Sequence, residues 1–477
     1  MDEAVIQSLR EAVGDEAWST RPADLYTYGF DASIYHRSPD MVIQPRSTEQ
    51  VAEIMKIAQR HGLPVIPRGG GTGLCGSAVP IKGGLVLDMS RMDRIVDISV
   101  GDLCCVVEAG CVYQDLNDAL TPHGFWFPPT PGSSDACQIG GMVACNASGM
   151  KAVKYGATRD YVLGLTFVTA DGQIVRAGTR TLKDSSGYQL ARLMVGSEGT
   201  LGVITEITLK IAARPKDSAM VLAAFPDLES AGRCVAAIIA KPLIPSSLEL
   251  MDRVSIDAVN KALGNPLPDC QALCLIEVDG EPEVVDKELK VVAEVARAEG
   301  ADDVVPTRDK ALMGRWNASR KAIMTSLAAL RPGHSSVSLA DDMVLPISQI
   351  PAAVAAYQEI ADRNDVTVAT YGHAADGNLH TKMLLDPCDA DSWRRGEKAV
   401  DEIFAATLAL GGSVTGEHGV GISKAPNFQR ERESVIPVMV AIKKAMDPNN
   451  ILNPGKLDQW EGSILRNLRY PCPEFQD

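Results

Sequence analysis

The apolar stretch Leu63-Pro-Val-Ile-Pro67 runs straight into Arg68-Gly-Gly-Gly-Thr-Gly73, and Gly71-Thr-Gly-Leu-Cys-Gly76 matches the GxGxxG pattern of dinucleotide-binding loops. Glycines after a strand commit the chain to a tight loop, because glycine alone reaches the required backbone angles at little cost. A doubly wound dinucleotide fold needs more than this, since its loop must open a helix whose N-terminus meets the pyrophosphate. Here Pro80 and Gly83-Gly84 interrupt any helix, and Gly84-Leu-Val-Leu-Asp88 begins a new strand. That excludes the nicotinamide-type fold. Two readings remain for the run taken alone: a tight glycine turn, or a cradle of backbone N–H groups around a phosphate with Arg68 supplying charge.

The surroundings of the run are short strands and one clear helix. Ser47-Thr-Glu-Gln50 reads as a capping box, after which Val51, Ile54, Met55 and Ala58 recur at helical spacing until His61-Gly62 stops the helix. Cys104-Cys-Val-Val-Glu108 predicts a strand, Asp171-Gly172 marks a hairpin between Val162 and Ala177, and Ile207, Leu209 and Ile211 alternate. The pattern changes near Arg214-Pro215. From Asp217 to Leu410 strands such as Met220–Phe225 and Ala272–Glu277 alternate with longer helices such as Glu281 to Gly300, an α+β or α/β layer. After Gly411 the chain turns glycine-rich and ends in Asp447-Pro-Asn-Asn-Ile-Leu-Asn-Pro-Gly-Lys456. The expected units are residues 1–214, 215–410 and a closing segment 411–477.

With 477 residues the chain has material for two or three domains. No apolar stretch approaches the roughly 18 residues of a membrane span. A net charge of −15 argues against non-specific binding of nucleic acid or anionic membranes and points to small molecules or proteins as partners. The 11 cysteines are odd in number, scattered, and never in CxxC pairs, which fits a reducing cytoplasm. Met1-Asp-Glu-Ala-Val has neither the basic end of a leader nor its apolar core, so the mature chain is expected to start near Met1 in the cytoplasm.

Two histidine-bearing segments stand apart. In His373-Ala-Ala-Asp-Gly-Asn-Leu-His380 the histidines would lie two turns apart on a helix, about 10 Å, too far to share an ion. If Asp376-Gly377 is a two-residue hairpin turn, His373 faces His380 with Cβ atoms about 5 Å apart, which suits two imidazoles on one metal. Gly416-Glu-His-Gly419 adds a carboxylate and a further imidazole. Residues adjacent in a regular strand point to opposite faces, so Glu417 and His418 converge only if the flanking glycines permit a distortion. Solvated histidines and an exposed turn are the alternatives.

Further segments carry a resemblance. Pro131-Gly-Ser-Ser134, Gly140-Gly141, Asn146-Ala-Ser-Gly149, Tyr155-Gly156 and Gly196-Ser-Glu-Gly-Thr-Leu-Gly-Val-Ile204 resemble, in order and spacing, the FAD-binding half of the vanillyl-alcohol-oxidase (PCMH) type flavoproteins. The resemblance implies an α+β fold, with an FAD-binding domain over 1–214, an α/β cap (substrate) domain over 215–410, and a closing segment 411–477 that returns to the first. It places the FAD pyrophosphate on the first loop, here Arg68, Gly69, Gly70, Gly71, Thr72, Gly73, Gly76 and Ser77. It assigns the isoalloxazine to Pro131, Gly132, Ser133, Gly140, Gly141, Asn146, Ser148, Gly149, Tyr155, Gly156, Glu198, Gly202, Val203 and Ile204, with Asn453 also expected at the cofactor. Relatives with covalent FAD use a histidine in the first loop, where this chain has Thr72, so non-covalent FAD is expected.

Together with Asn449-Asn-Ile-Leu-Asn-Pro-Gly-Lys456, these residues are similar to the family of D-lactate dehydrogenases, glycolate oxidase catalytic subunits and D-2-hydroxyglutarate dehydrogenases, from roughly Pro45 to Leu457. Position by position the resemblance implies metal ligation by His373, His380 and Glu417 and proton abstraction by His418. It also implies a carboxylate-binding arginine in Trp316-Asn-Ala-Ser-Arg-Lys321, best matched by Arg320; only arginine's planar fork holds a carboxylate bidentately, though taken alone it would read as a solvated helix charge. Two histidines and a carboxylate suit zinc, iron or manganese. The hydroxyglutarate branch carries a lysine where this chain has Ala340, which weighs against a dicarboxylate. The expected activity is oxidation of a D-2-hydroxy acid, D-lactate first, with glycolate and D-2-hydroxyglutarate behind it. Electrons would pass to an electron-transfer flavoprotein, an iron–sulfur subunit or a quinone, the chain forming a homodimer or part of a hetero-oligomeric complex. Two rivals share the fold: a redox-neutral alkyl-glycerone-phosphate synthase, and a flavin-bearing subunit whose partner does the chemistry.

Overall fold

The computed structural model describes residues 1–14, 16–339, 341–460, 462–470 and 472–475. The glycine run forms the crossover between two parallel strands, Val65–Arg68 and Leu85–Asp88, which pair with Arg68 opposite Asp88. No helix interrupts that crossover, as the prolines and glycines of 69–84 require. Met41–Ile43 and Trp18–Ser19 extend the sheet to four strands. The helix Thr48–His61 covers it; Ser47 accepts the Gln50 amide at 3.3 Å, and the Gln50 side chain reaches back one residue further than a capping box would, to the amide of Arg46 at 2.7 Å. Gly62, in the left-handed region, ends the helix.

A second, five-stranded sheet follows in the order Ile95–Ser99, Cys104–Glu108, Val203–Lys210, Val162–Val168, Ile174–Gly178, antiparallel throughout. Its last two strands are the hairpin read from Asp171-Gly172. Val51, Ile54, Met55 and Ala58 of the helix share one core with Leu85 and Leu87 of the first sheet and with Val107, Phe167 and Ile207 of the second.

The third sheet runs Asp303–Thr307, Asp217–Phe225, Ala272–Gly280, Ser247–Asp252, Thr367–His373, Asn378–Leu385, Ser335–Val337, with Met343–Val344 also pairing onto Asn378–Leu385. Every pair is antiparallel, which selects α+β over α/β for this half. Both faces are covered. Along Asp217–Phe225, Val221, Ala223 and Phe225 join the helices Leu228–Ile239, Pro282–Ala298 and Ile350–Arg363, while Met220, Leu222 and Ala224 face Arg253–Leu263 and Ile323–Leu330. Such a strand reads as a continuous apolar run because each face has its own core.

The chain after 411 is shared between the halves. Val414, Val420 and Ile422 enter the core of the third sheet, whereas Ile451 and Leu452 enter that of the first two, Asn453 donating its amide to Val65 at 2.8 Å. The tail then returns to the N-terminal region, with Arg469 donating to the carbonyl of Ile34 and His36 to that of Asn467, both at 2.8 Å. No helix among the described residues is long and apolar enough to cross a membrane.

A polar clamp also joins the halves. Lys154 donates to Asp279 Oδ1 at 2.7 Å, the Tyr155 hydroxyl reaches the same oxygen at 2.9 Å, and Lys151 pairs with Glu277 at 2.9 Å. Asp279 is buried, so removing its charge strands two donors. Asp279→Asn is expected to lower stability by about 1–3 kcal/mol, less than for a wholly buried pair because Lys154 is partly solvated. Urea unfolding measures this, and an unchanged midpoint would show the clamp to be idle.

Candidate active site

A cavity of about 750 Å³ runs from the glycine loop to the hairpin of the third sheet. At the loop end the amides of Gly70, Gly71, Thr72, Gly73 and Leu74 have no acceptor among the described residues. The Arg68 guanidinium lies against Gly71, where a Cβ would come within 2.1 Å of it, and donates to the carbonyl of Phe30 at 2.8 Å. Gly69 and Ser77 complete this end, and Gly70 packs so closely on Ala136 that a Cβ would stand 2.3 Å from its carbonyl oxygen. Pro131, Gly132, Ser133, Gly140, Gly141, Ser148, Glu198, Gly202 and Ile204 also line the wall of the cavity. Unpaired amides beside an arginine suit a diphosphate, and the volume is that of a cofactor site. The residues present therefore fit FAD.

The other expected cofactor residues stand behind this wall. Gly76 lies under Tyr35 and Ile422, and Gly149 abuts the carbonyl of Thr130. Asn146 ends the helix Ile139–Cys145 and accepts the amide of Arg159 at 3.0 Å. Tyr155 belongs to the interdomain clamp, and Gly156 touches the Asp160 carboxylate. Val203 is core, and Asn453 bridges the carbonyls of Ser77 and Glu198 at 2.8 and 2.7 Å.

At the far end three imidazoles surround one carboxylate oxygen. Glu417 Oε1 lies 3.4 Å from His373 Nε2, 3.6 Å from His380 Nε2 and 3.6 Å from His418 Nε2. The hairpin that delivers two of them differs from the expected one. The turn is not Asp376-Gly377 alone but a 3₁₀ turn, Ala374–Asp376, closed by Gly377, so His373 pairs with Asn378 and His380 with Tyr371. The reason is tertiary. Ala374 and Ala375 are buried, and Gly377 fits so tightly under Leu345 that a Cβ would stand 2.0 Å from its carbonyl. The shift keeps both histidines on one face, as diagonal neighbours with ring centroids 5.3 Å apart.

Glu417 and His418 converge because their segment is a loop wrapped around a buried carboxylate. Asp342 Oδ2 accepts the amides of Gly416 at 3.2 Å and His418 at 2.9 Å, and Oδ1 that of Glu417 at 3.1 Å. The Thr415 hydroxyl and the Lys424 ammonium reach Oδ2 at 2.8 and 2.6 Å, and Asn378 reaches Oδ1 at 2.9 Å. Glu198 grips the next stretch, accepting from the amides of Val420 and Gly421 at 2.7 and 2.8 Å and from Ser77 at 2.6 Å. Gly419 sits between the grips in the left-handed region, where a Cβ would collide with Glu198.

A chain of charges links this cluster to Arg320. His373 Nδ1 meets Glu249 Oε1 at 2.6 Å, and Arg320 Nε donates to Glu249 Oε2 at 2.5 Å. Burial would raise Glu249, but Arg320 and His373 hold it down to about 2. Burial would lower His373, yet Glu249 and Glu417 push it up to about 10. Burial, with the charges of His418 and His373, pushes His380 down to about 3, leaving a neutral imidazole. Around the histidines the carboxylates of Glu249, Asp341, Asp342 and Glu417 face the buried cations Arg320, Lys382 and Lys424, and the protonated His373 ring supplies a fourth positive charge.

A divalent ion could stand in place of the His373 proton, and the spacings allow it. Ligand atoms about 2.1 Å from a tetrahedral ion stand about 3.4 Å apart, close to the spacings around Glu417. Glu249 on Nδ1 of His373 also leaves Nε2 free to ligate. The ligating atoms of Asp342, His380, Glu417 and His418 all lie within 4.8 Å of one another. His373 stands outside that group, with its Nε2 3.4 Å from Glu417 Oε1, while the Asp342 oxygens are already taken by several donors. Ser148 holds the other oxygen of Glu417 at 3.1 Å.

Sequence reasoning missed Glu249, Asp341 and Asp342. Each carried a signal: Glu249 interrupts the apolar Ser247–Asp252 strand, and the two aspartates precede another apolar run, where buried acids need partners. Ala340, the position compared with the hydroxyglutarate branch, lies outside the described residues.

Residues 214–457 match the family described as FAD linked oxidases, C-terminal domain, and residues 39–178 match the FAD binding domain. The glycolate oxidase subunit GlcD of Bacillus subtilis is 37% identical over 95% of this chain and 96% of its own length. A D-lactate dehydrogenase of Archaeoglobus fulgidus is 35% identical over 87% of this chain and 91% of its own. Solved structures of p-cresol methylhydroxylase (TM-score 0.77, 18% identity, covering 95% of this chain and 96% of that one) and alkyldihydroxyacetonephosphate synthase (0.75, 19%, 96% and 86%) share the fold. An amide-lined cavity that fits FAD, on a chain related end to end to these enzymes, makes this protein a member of the FAD-linked oxidase family that includes GlcD and the D-lactate dehydrogenases, and an FAD-linked oxidoreductase.

Proposed function

We propose that the chain oxidises a D-2-hydroxy acid, D-lactate among them, to the 2-oxo acid. The observation that carries this reading is the convergence of His373, His380 and His418 on Glu417, next to Arg320, at the end of the cavity away from the amide loop. Bound FAD supplies the hydride acceptor. A zinc, iron or manganese ion held by His373, His380 and Glu417 would act as a Lewis acid towards the 2-hydroxyl.

The chain's own residues account for the rest. Arg320 binds the substrate carboxylate: Glu249 takes only its Nε, the Nη groups have no hydrogen-bond acceptor among the described residues, and the guanidinium lies 5.0 Å from the Tyr371 ring centre, which fixes its plane. His418 removes the hydroxyl proton. Its Nδ1 stands 3.3 Å from the carbonyl of Asp341, a contact that places the ring proton on Nδ1 and leaves Nε2 as the base. Burial alone would lower its proton affinity, but Asp342 and Asp341 raise it. Closure by the 415–421 loop limits water around the reacting atoms and holds donor and acceptor in register. GlcD is named as a subunit, which supports a redox protein, such as an electron-transfer flavoprotein or iron–sulfur subunit, as electron acceptor, with a quinone as the other class.

Anaerobic addition of D-lactate is expected to bleach the flavin absorbance of the holoenzyme, and L-lactate to leave it unchanged; a flavin that no D-2-hydroxy acid bleaches would overturn the reading. His418→Asn should keep its FAD yet lose flavin reduction by about 10²–10⁴-fold, and reduction at the wild-type rate would remove His418 from the mechanism. Exhaustive chelation should abolish turnover with FAD retained, and zinc, manganese or ferrous iron should restore it; full activity after chelation would remove the metal. Asp342→Asn puts an amide among donors that need an acceptor, so turnover should fall about 10–100-fold with the flavin spectrum retained.

A further inference from the structure

A second cavity, of about 290 Å³, opens off the first beyond Met324, sharing Lys382 and Arg469 with it. Its own wall includes His334, Ser336 and Ser338. The side chains that can carry charge there are all basic, and no aspartate or glutamate lines it among the described residues. Lys382 is held by the Ser338 hydroxyl and by Asp341, which stands outside the cavity. Arg469 meets the Tyr470 hydroxyl at 3.5 Å and no carboxylate among the described residues. His334 Nδ1 and Ser336 Oγ are buried with no hydrogen-bond partner. Donors left unanswered in a recess are costly unless something accepts from them.

We propose that this recess is a subsite for an anionic group at the far end of the substrate, so that the preferred 2-hydroxy acid carries a second acidic group on a short side chain. The proposal rests on the reading above and deepens it. Arg320 takes the carboxylate next to the reacting carbon, and Arg469, with His334 and Ser336, takes the distal one. At about 30 Å³ per water, the recess has room for roughly ten waters, enough for a two- or three-carbon arm ending in a carboxylate. The methyl group of D-lactate cannot reach those donors, and a site built to answer a polar group discriminates strongly against an analogue that lacks it. The lysine that the hydroxyglutarate branch carries where this chain has Ala340 is not needed for this, because Lys382 enters the recess from the strand Asn378–Leu385. Arg469 comes from the tail beyond the matched family region 214–457, held by its backbone to Ile34, so the selectivity would not be readable from the family motifs.

The test uses the FAD-loaded full chain and two five-carbon probes that differ only at the far end, D-2-hydroxyglutarate and D-2-hydroxypentanoate. Rates of anaerobic flavin reduction should give kcat/KM at least 30-fold higher for the dianion. Arg469→Met should cut the ratio of dianion to monoacid at least tenfold, chiefly through KM, and Ser336→Ala should move it the same way by a smaller factor. Equal efficiency for the two probes, a preference for the monoacid, or an unchanged ratio in both variants overturns the subsite. If D-lactate and the monoacid bleach the flavin while the dianion does not, the subsite alone falls; if no acid bleaches it, the underlying reading falls too.

Discussion

The carboxylate of Asp342 is inaccessible to solvent, yet it collects three consecutive backbone amides, a hydroxyl, a side-chain amide and the Lys424 ammonium. Burying such a charge is tolerable only because each lone pair finds a donor and an equally buried cation stands 2.6 Å away. Burial would raise its pKa, but Lys424 and the neighbouring histidines hold it far below the ordinary carboxylate range. The carboxylate therefore acts as a fixed post around which 415–418 must wrap. Asp342 itself has φ 122°, a conformation that L side chains rarely adopt, and strain of this kind persists where surrounding contacts over-determine it. Without this post Glu417 and His418 have no reason to face the same point.

Glu198 plays the matching part on the cofactor side, since it binds the next amides of the same loop and also Ser77 of the glycine segment. One loop is thus pinned at one end to the half built on the third sheet and at the other to the half that holds the glycine loop. The distance between the amide-lined end of the cavity and the histidine cluster is set by main-chain bonds to two buried acids rather than by flexible side chains. Hydride transfer depends on such fixed spacing, because small errors in donor–acceptor distance cost large factors in rate.

Much of this was legible in the sequence for physical reasons. The glycine run with prolines behind it could not open a helix, and that alone separated this fold from the doubly wound one. The helix after Ser47 and the hairpin at Asp171-Gly172 were readable because capping and turn chemistry are local. The His373–His380 register was not, because the turn is decided by how Ala374, Ala375 and Gly377 pack beneath Leu345. A shift of two residues preserves the face, so the convergence of the histidines survived the error. Asp342 and Glu249 were hidden for another reason: their partners lie 36 or more residues away in sequence, and no short-range pattern announces such a pairing.

The same contrast bears on substrate choice. The residues proposed to act at the reacting carbon come from the third sheet, the helix Lys310–Lys321 and the 415–421 loop, all inside the matched family region. The wall that would meet the substrate's far end comes from His334, Ser336 and Lys382, also inside that region, and from the tail residue Arg469, which lies beyond it. A chain of this kind can keep one reaction while changing its acid, because exchanging a side chain on the tail or on Ser335–Val337 alters the recess without disturbing either buried acid that fixes the loop. Lys382 shares its strand with His380 and is bound to Asp341, so the part of the recess free to vary on this reading is the tail and the Ser335–Val337 edge.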